Sequence, residues 1–149
     1  MGTFDIRFLN DRPPVPPYDG AVGEISIDSF RERFVVDLSF WSRDRYMQQW
    51  VKAARDIVQK DRTALITSLV HPSSASFISW WALYRDGESV VVQQQLCFID
   101  ALDRPFDPER VEEFVSPRET TSEDGQEISE WLTTLEDVTR FAARASPPV

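Results

Sequence analysis

From Ser76 to Ile99 the chain reads SFISWWALYRDGESVVVQQQLCFI, two runs of alternating apolar and polar positions divided by Asp86-Gly87. An Asp-Gly pair between such runs signals a two-residue type I′ hairpin turn, because glycine tolerates the positive φ that matches strand twist. Folding there is expected to pair Arg85 with Glu88, Leu83 with Val90, Trp81 with Val92 and Phe77 with Leu96. Side chains alternate at period two, so these pairs share one dry face. The other face carries Tyr84, Trp80 and Ile78 opposite Ser89, Gln93 and Gln95. Aromatic and amide groups of that kind suit recognition, and no obvious catalytic group accompanies them.

The remaining pattern predicts further elements. Residues 3–9 form a first strand candidate, followed by four prolines within positions 13–17 that exclude a helix and make an extended connector. EISIDSF and RFVVDLSF read as two short strands, with a turn expected around Arg31-Glu32. Ser42 offers an N-cap for a helix reaching about Lys60, in which Tyr46, Trp50, Ala54, Ile57 and Val58 form one apolar stripe. Lys52, Arg55, Asp56 and Gln59 fall on its wet side. RTALITSLV is rich in β-branched residues and fits a buried strand. A short strand is expected at residues 111–115, a tight turn at Asp124-Gly125, and a returning strand in EISEWLT. Thr133 or Thr134 caps a last helix with Leu135, Val138, Phe141 and Ala142 as its apolar face, Glu136 and Asp137 in its first turn, and Arg140 and Arg144 near its end. The expectation is a single α+β domain over residues 1–149, with a mainly antiparallel sheet of five or six strands. The Tyr46–Trp50–Ile57 stripe is expected to pack on the sheet face bearing Trp81, Leu83, Val92 and Leu96.

Charge adds a second layer. The chain of 149 residues carries a formal net charge of −9. Between Asp100 and Asp137 stand thirteen carboxylates against Arg104, Arg110 and Arg118, a net of −10 that leaves the rest near +1. That field repels phosphate backbones and attracts a basic protein, so direct nucleic-acid binding is not expected. Two readings of the segment stay open: a solvated acidic rim, and a surface that steers a cationic partner. No apolar run approaches the ~20 residues of a membrane span. The N-terminus lacks the pattern of a secretory signal, and the lone Cys97 fits a reducing cytoplasm.

The search for chemistry returns no enzyme signature. His71 is the only histidine and precedes Pro72 in a Ser-rich loop, without a GxSxG elbow. One histidine and one cysteine do not make a zinc site, and Cys97 between Leu96 and Phe98 reads as a buried, inert thiol. Paired carboxylates such as Glu112-Glu113 and Glu123-Asp124 sit in polar surroundings where both stay ionised, unlike an acid/base pair. The Ca²⁺-loop spacing, the P-loop and the dinucleotide fingerprint are all absent, so no cofactor and no metal are expected. Of five tryptophans, Trp50 and Trp81 read as core. Trp80 and Trp131, beside Gln93 and Glu130, fit the aromatic-at-a-polar-margin pattern of protein-binding hot spots.

Four ordered blocks carry a family likeness: YMQQWVKAARDIV, TALITSLV, FISWWALYRDGESVVVQQQLCFID and RETTSEDGQEISEWLTTLEDVTRF. With this spacing over about residues 33–141, the chain resembles the immunity proteins of bacterial contact-dependent growth inhibition, the CdiI type. Residues 1–30, with the proline cluster, lie outside the likeness. The resemblance implies a cytoplasmic antidote that binds the toxic C-terminal domain of a neighbour-delivered effector, commonly a nuclease, and blocks it. Contact residues do not transfer by motif. On charge, the candidate contacts are Glu112, Glu113, Glu123, Asp124, Glu127 and Glu130, with Trp131 as an aromatic anchor. The alternative is a small α+β ligand-binding or hydrolase domain with a site assembled from scattered residues.

Overall fold

The computed structural model describes residues 2–10, 20–69 and 77–145. His71 and the whole proline cluster lie outside these residues. Two antiparallel sheets and two α-helices form one α+β unit. Three strands, β1 (Phe4–Phe8), β2 (Gly20–Ile27) and β3 (Phe30–Asp37), make the first sheet. The second runs β4 (Arg62–Ser68), β5 (Phe77–Asp86), β6 (Ser89–Phe98) and β7 (Trp131–Thr134). The helices are α1 (Arg43–Asp56) and α2 (Leu135–Ala145). Two 3-10 segments, Ile99–Ala101 and Pro108–Glu113, lie between β6 and β7.

Where local signals were strong, the elements follow them. Ser42 Oγ accepts from the Arg45 N–H and starts α1, and Thr134 Oγ1 accepts from the Asp137 N–H and starts α2. The stripe residues Tyr46, Trp50, Ala54 and Ile57 are buried, while Val58, beyond the helix, is exposed. Leu135, Val138, Phe141 and Ala142 are all buried beneath α2.

Four details depart from the sequence expectations. First, the strands fall into two sheets of three and four, not one of five or six. Second, the β2–β3 turn sits at Asp28-Ser29, where Asp28 takes φ +55 and its carboxylate accepts from the Thr3 N–H. Aspartate tolerates that left-handed conformation better than most residues, and the turn leaves Arg31 and Glu32 inside β3. Third, the hairpin pairs Asp86 with Ser89, Leu83 with Val92 and Trp81 with Gln94, a slip of two residues. The positive φ falls on Gly87 alone, the first loop position, as in a type II′ turn. A slip of two preserves each residue's face because the side-chain period is also two. Fourth, residues 108–113 coil as a 3-10 segment, started by Pro108 and by the Asp107 carboxylate accepting from the Glu109 N–H.

The docking of α1 also differs. Its stripe packs on the first sheet, with Trp50 stacked on Phe8 at 4.9 Å and edge-on to Phe34. Toward the second sheet, α1 meets the backbone edge of β4: Trp50 Nε1 donates to Ile66 O at 2.7 Å. Gln49 Nε2 donates to Ala64 O at 2.8 Å, and Gln49 Oε1 accepts from the Ile66 N–H at 2.9 Å. The face bearing Trp81 is covered by Phe30 and Trp131 instead. Leu96, expected beneath the helix, is 52% exposed.

Candidate partner-binding surface

Residues 99–130 leave the sheet after β6 and return to it as β7. On the way they cover the hairpin face that carries Tyr84, Trp80 and Ile78. Phe106 stacks on Trp80 at 6.1 Å, and Val111 and Val115 are buried in the core cluster. The amide and aromatic groups of this face therefore recognise the protein's own chain. Trp80 Nε1 donates to Gln95 Oε1 at 3.1 Å, and Gln95 Nε2 donates to Tyr84 Oη and Gln93 Oε1, each at 2.9 Å. Tyr84 Oη donates to Ser116 O at 2.7 Å, and Gln93 Nε2 donates to Glu119 O and to Glu130 Oε2. Burial pushes the Tyr84 hydroxyl above its ordinary pKa, with the Gln95 hydrogen bond opposing, so it remains a donor at neutral pH. Buried polar groups demand partners, and this network provides them while fixing Ser116, Glu119 and Glu130 of the acidic excursion.

Within the excursion the candidate carboxylates divide by their partners. Glu112 pairs with Lys60 at 2.5 Å. Burial pushes its pKa up, yet the Lys60 ammonium outweighs this and holds it below the ordinary value. Glu113 faces Arg104 at 3.5 Å and Arg110 at 3.8 Å. Glu130 takes both nitrogens of Arg118 and the Gln93 amide, which lower its pKa. Glu123, Asp124 and Glu127 are exposed and have no ion-pair partner among the described residues. They surround a miniature hairpin: Thr121 bridges Glu127, the Ile128 N–H donates to Thr120 O, and the Gly125 N–H donates to Ser122 O. Gly125 takes φ +80 there, as the Asp-Gly signal implied. Trp131 is half-buried, stacked on Phe30 at 4.3 Å and edge-on to Trp81, so it ties the two sheets together.

Sequence reasoning missed the internal partners Arg118, Lys60, Gln93 and Gln95, because ion pairing across 12 to 52 positions leaves no local trace. A groove of about 820 Å³ runs along α1 and is lined by Met47, Val51, Lys52, Arg55 and Asp56 among others. Lys52 and Asp56 there pair with each other at 2.8 Å. Among the described residues no group of three His, Cys, Asp or Glu side chains is placed to hold a metal. Among the described residues no helix is long and apolar enough to cross a membrane.

Residues 36–141 match the family model of the CdiI N-terminal domain. The chain belongs to this family. Its members here include a curated relative, the immunity protein CdiI of Enterobacter cloacae, 34% identical over 118 residues, which are 78% of this chain and 81% of the relative. Among solved structures, the fold matches a chain of a CdiA-CT/CdiI toxin and immunity complex from Enterobacter cloacae. That match has a TM-score of 0.85 and 30% identity, and covers 96% of this chain and 98% of the other. The family match begins inside β3, whereas the structural likeness leaves too few residues outside to exclude β1 and β2. Most of the first sheet is thus shared with that solved chain. Between β6 and β7, the same architecture supports the acidic excursion.

Proposed function

We propose that this chain is a cytoplasmic immunity protein that neutralises, by stoichiometric binding, the toxin domain of a contact-dependent growth inhibition system. Its family membership supports the class, as does its likeness to a solved chain of an Enterobacter cloacae toxin and immunity complex. The observation that carries the site is the contrast among carboxylates. Glu112, Glu113 and Glu130 are engaged by Lys60, Arg104, Arg110 and Arg118 and hold the excursion in shape. Glu123, Asp124 and Glu127 stand exposed at its tip, without an ion-pair partner among the described residues. The partner they fit is a basic surface, as a nuclease domain presents to its nucleic-acid substrate. Occupying that surface blocks the toxin without any catalytic step here. Such a patch accelerates encounter and loses strength as salt shortens the Debye length.

The test is co-expression of this chain with the toxin domain encoded beside it. A one-to-one complex that co-purifies, together with rescue of growth, is the expected result. A folded chain that neither binds nor protects overturns the reading.

A further inference from the structure

The two flanks of the second sheet differ. At the β4 flank, the amide of Gln49 and the indole of Trp50 take up the backbone groups of Ala64 and Ile66, so that edge is closed. At the other flank, β7 pairs with β6 only from Ser89 to Val92. Residues 93–98 continue as strand, roughly 20 Å long at the usual rise per residue, and make no backbone–backbone hydrogen bond on that side among the described residues, only the Gln93 side chain reaching Glu119 and Glu130. A backbone edge of this kind is a template for an added strand.

The side chains beside the open edge fit the same role. Gln94, Leu96 and Phe98 alternate outward and are exposed, with Leu96 at 52% and Phe98 at 56%. Phe77, 46% exposed, lies across from Phe98 with ring centroids 6.3 Å apart. These three form an apolar ledge on the face of β5 and β6 that Phe30 and Trp131 leave uncovered. Carboxylates stand toward both ends: Asp100 just beyond β6, and at the other Glu119, whose backbone carbonyl accepts from the Gln93 amide, with Glu127 four positions before β7 in the chain. Pairing two copies of this chain edge to edge would bring two such acidic rims together. A cationic segment meets the opposite condition.

We propose that the toxin domain docks an extended, basic and apolar segment along Gln93–Phe98 of β6 as an additional strand. Its main chain takes up the open edge, its apolar side chains rest on Phe77, Leu96 and Phe98, and its Lys or Arg residues reach Asp100, Glu119 and Glu127. The inference rests on the immunity reading above and specifies how the partner binds.

The probe is the toxin domain encoded beside this chain, with binding and amide hydrogen exchange measured on the wild type and on a Leu96→Lys, Phe98→Lys variant. Both positions are exposed, so the variant keeps the wild-type melting temperature. Expected are a loss of affinity of roughly 30-fold or more, as for removal of a central contact, and slowed exchange of the 93–98 amides in the wild-type complex. Wild-type affinity in the variant, or unchanged exchange at 93–98 in a formed complex, overturns the added strand while the immunity reading stands. No complex with wild type defeats the immunity reading itself. A homodimer that protects the 93–98 amides without toxin also overturns the proposal, by assigning the edge to a second copy.

Discussion

Arg118 and Glu130 hold each other through two parallel hydrogen bonds of 2.7 Å, and Glu130 also accepts from the Gln93 amide at 2.7 Å. Bidentate guanidinium–carboxylate contacts fix geometry as well as charge. One carboxylate thereby fastens the return leg of the acidic excursion to its outgoing leg and to β6. The strand network beneath completes the clasp.

Replacing Glu130 with alanine is expected to loosen residues 119–130 while leaving the two sheets intact. Amide hydrogen exchange is the appropriate measurement: faster exchange confined to that segment is the expected result.

Acid should reveal the same clasp. Arg118 lowers the Glu130 pKa, and Lys60, against the effect of burial, lowers that of Glu112, both below the ordinary 4.5. The unfolded chain therefore binds more protons near that pH, and stability rises with pH across the window. The contribution is fully present above the ordinary value and is lost as pH falls through the depressed folded-state values. Denaturation curves between about pH 6 and pH 3 should show this decline, and Glu130→Gln should flatten part of it.

Reversal of Glu123, Asp124 and Glu127 to lysine should leave the melting temperature within a few degrees, because exposed carboxylates contribute little to stability. Toxin association should slow by roughly tenfold or more at low salt and lose most of its salt dependence. Stopped-flow binding at several ionic strengths measures both. Retained affinity would remove these three residues from the contact.

Tyr46 predicts the alkaline limit. Its hydroxyl donates to Asp37 O at 2.6 Å and accepts from the Leu69 N–H at 3.0 Å, joining the end of β3 to the end of β4. Burial pushes its pKa up from 10.0 to about 12, the Leu69 hydrogen bond opposing and Asp37 adding to the rise. A raised folded-state value means stability that is complete below 10.0 and lost as pH rises toward 12. Ultraviolet titration should find this hydroxyl still protonated at pH 10.5, and Tyr46→Phe should shrink the alkaline loss of stability.

The closed edge of β4 yields a stability prediction. Trp50→Ala empties a site that is 1% exposed and should cost about 3–5 kcal/mol. Gln49→Leu keeps the volume but strands the Ala64 carbonyl and the Ile66 N–H, at roughly 1–3 kcal/mol for each. Urea denaturation of both variants provides the check.

Much of this architecture was legible because it is written locally. Ser42 and Thr134 announce their helices, the Tyr46–Trp50–Ile57 stripe announces a buried face, and Asp86-Gly87 announces a hairpin. Its register slipped by two because either turn type accommodates the Asp-Gly pair, and faces alone do not distinguish them. The covering of Trp80 and Tyr84 was not legible. An amphiphilic strand face looks the same whether its partner is another protein or residues 99–130 of its own chain. Division into two sheets was equally hidden, since it depends on Gln49 taking the place of a neighbouring strand. Composition marks out the acidic segment, but only geometry distinguishes Glu130, held by Arg118, from Glu127, which is not.

The miniature hairpin at 120–128 closes on its own backbone, through Thr121, Ser122 and Ile128, and hangs from a clasp that lies outside it. Nothing in the core depends on the identity of the residues at its tip. On the contact proposed above, the tip would serve as an exchangeable cassette, its residues rewritten one by one without repaying the folding problem each time.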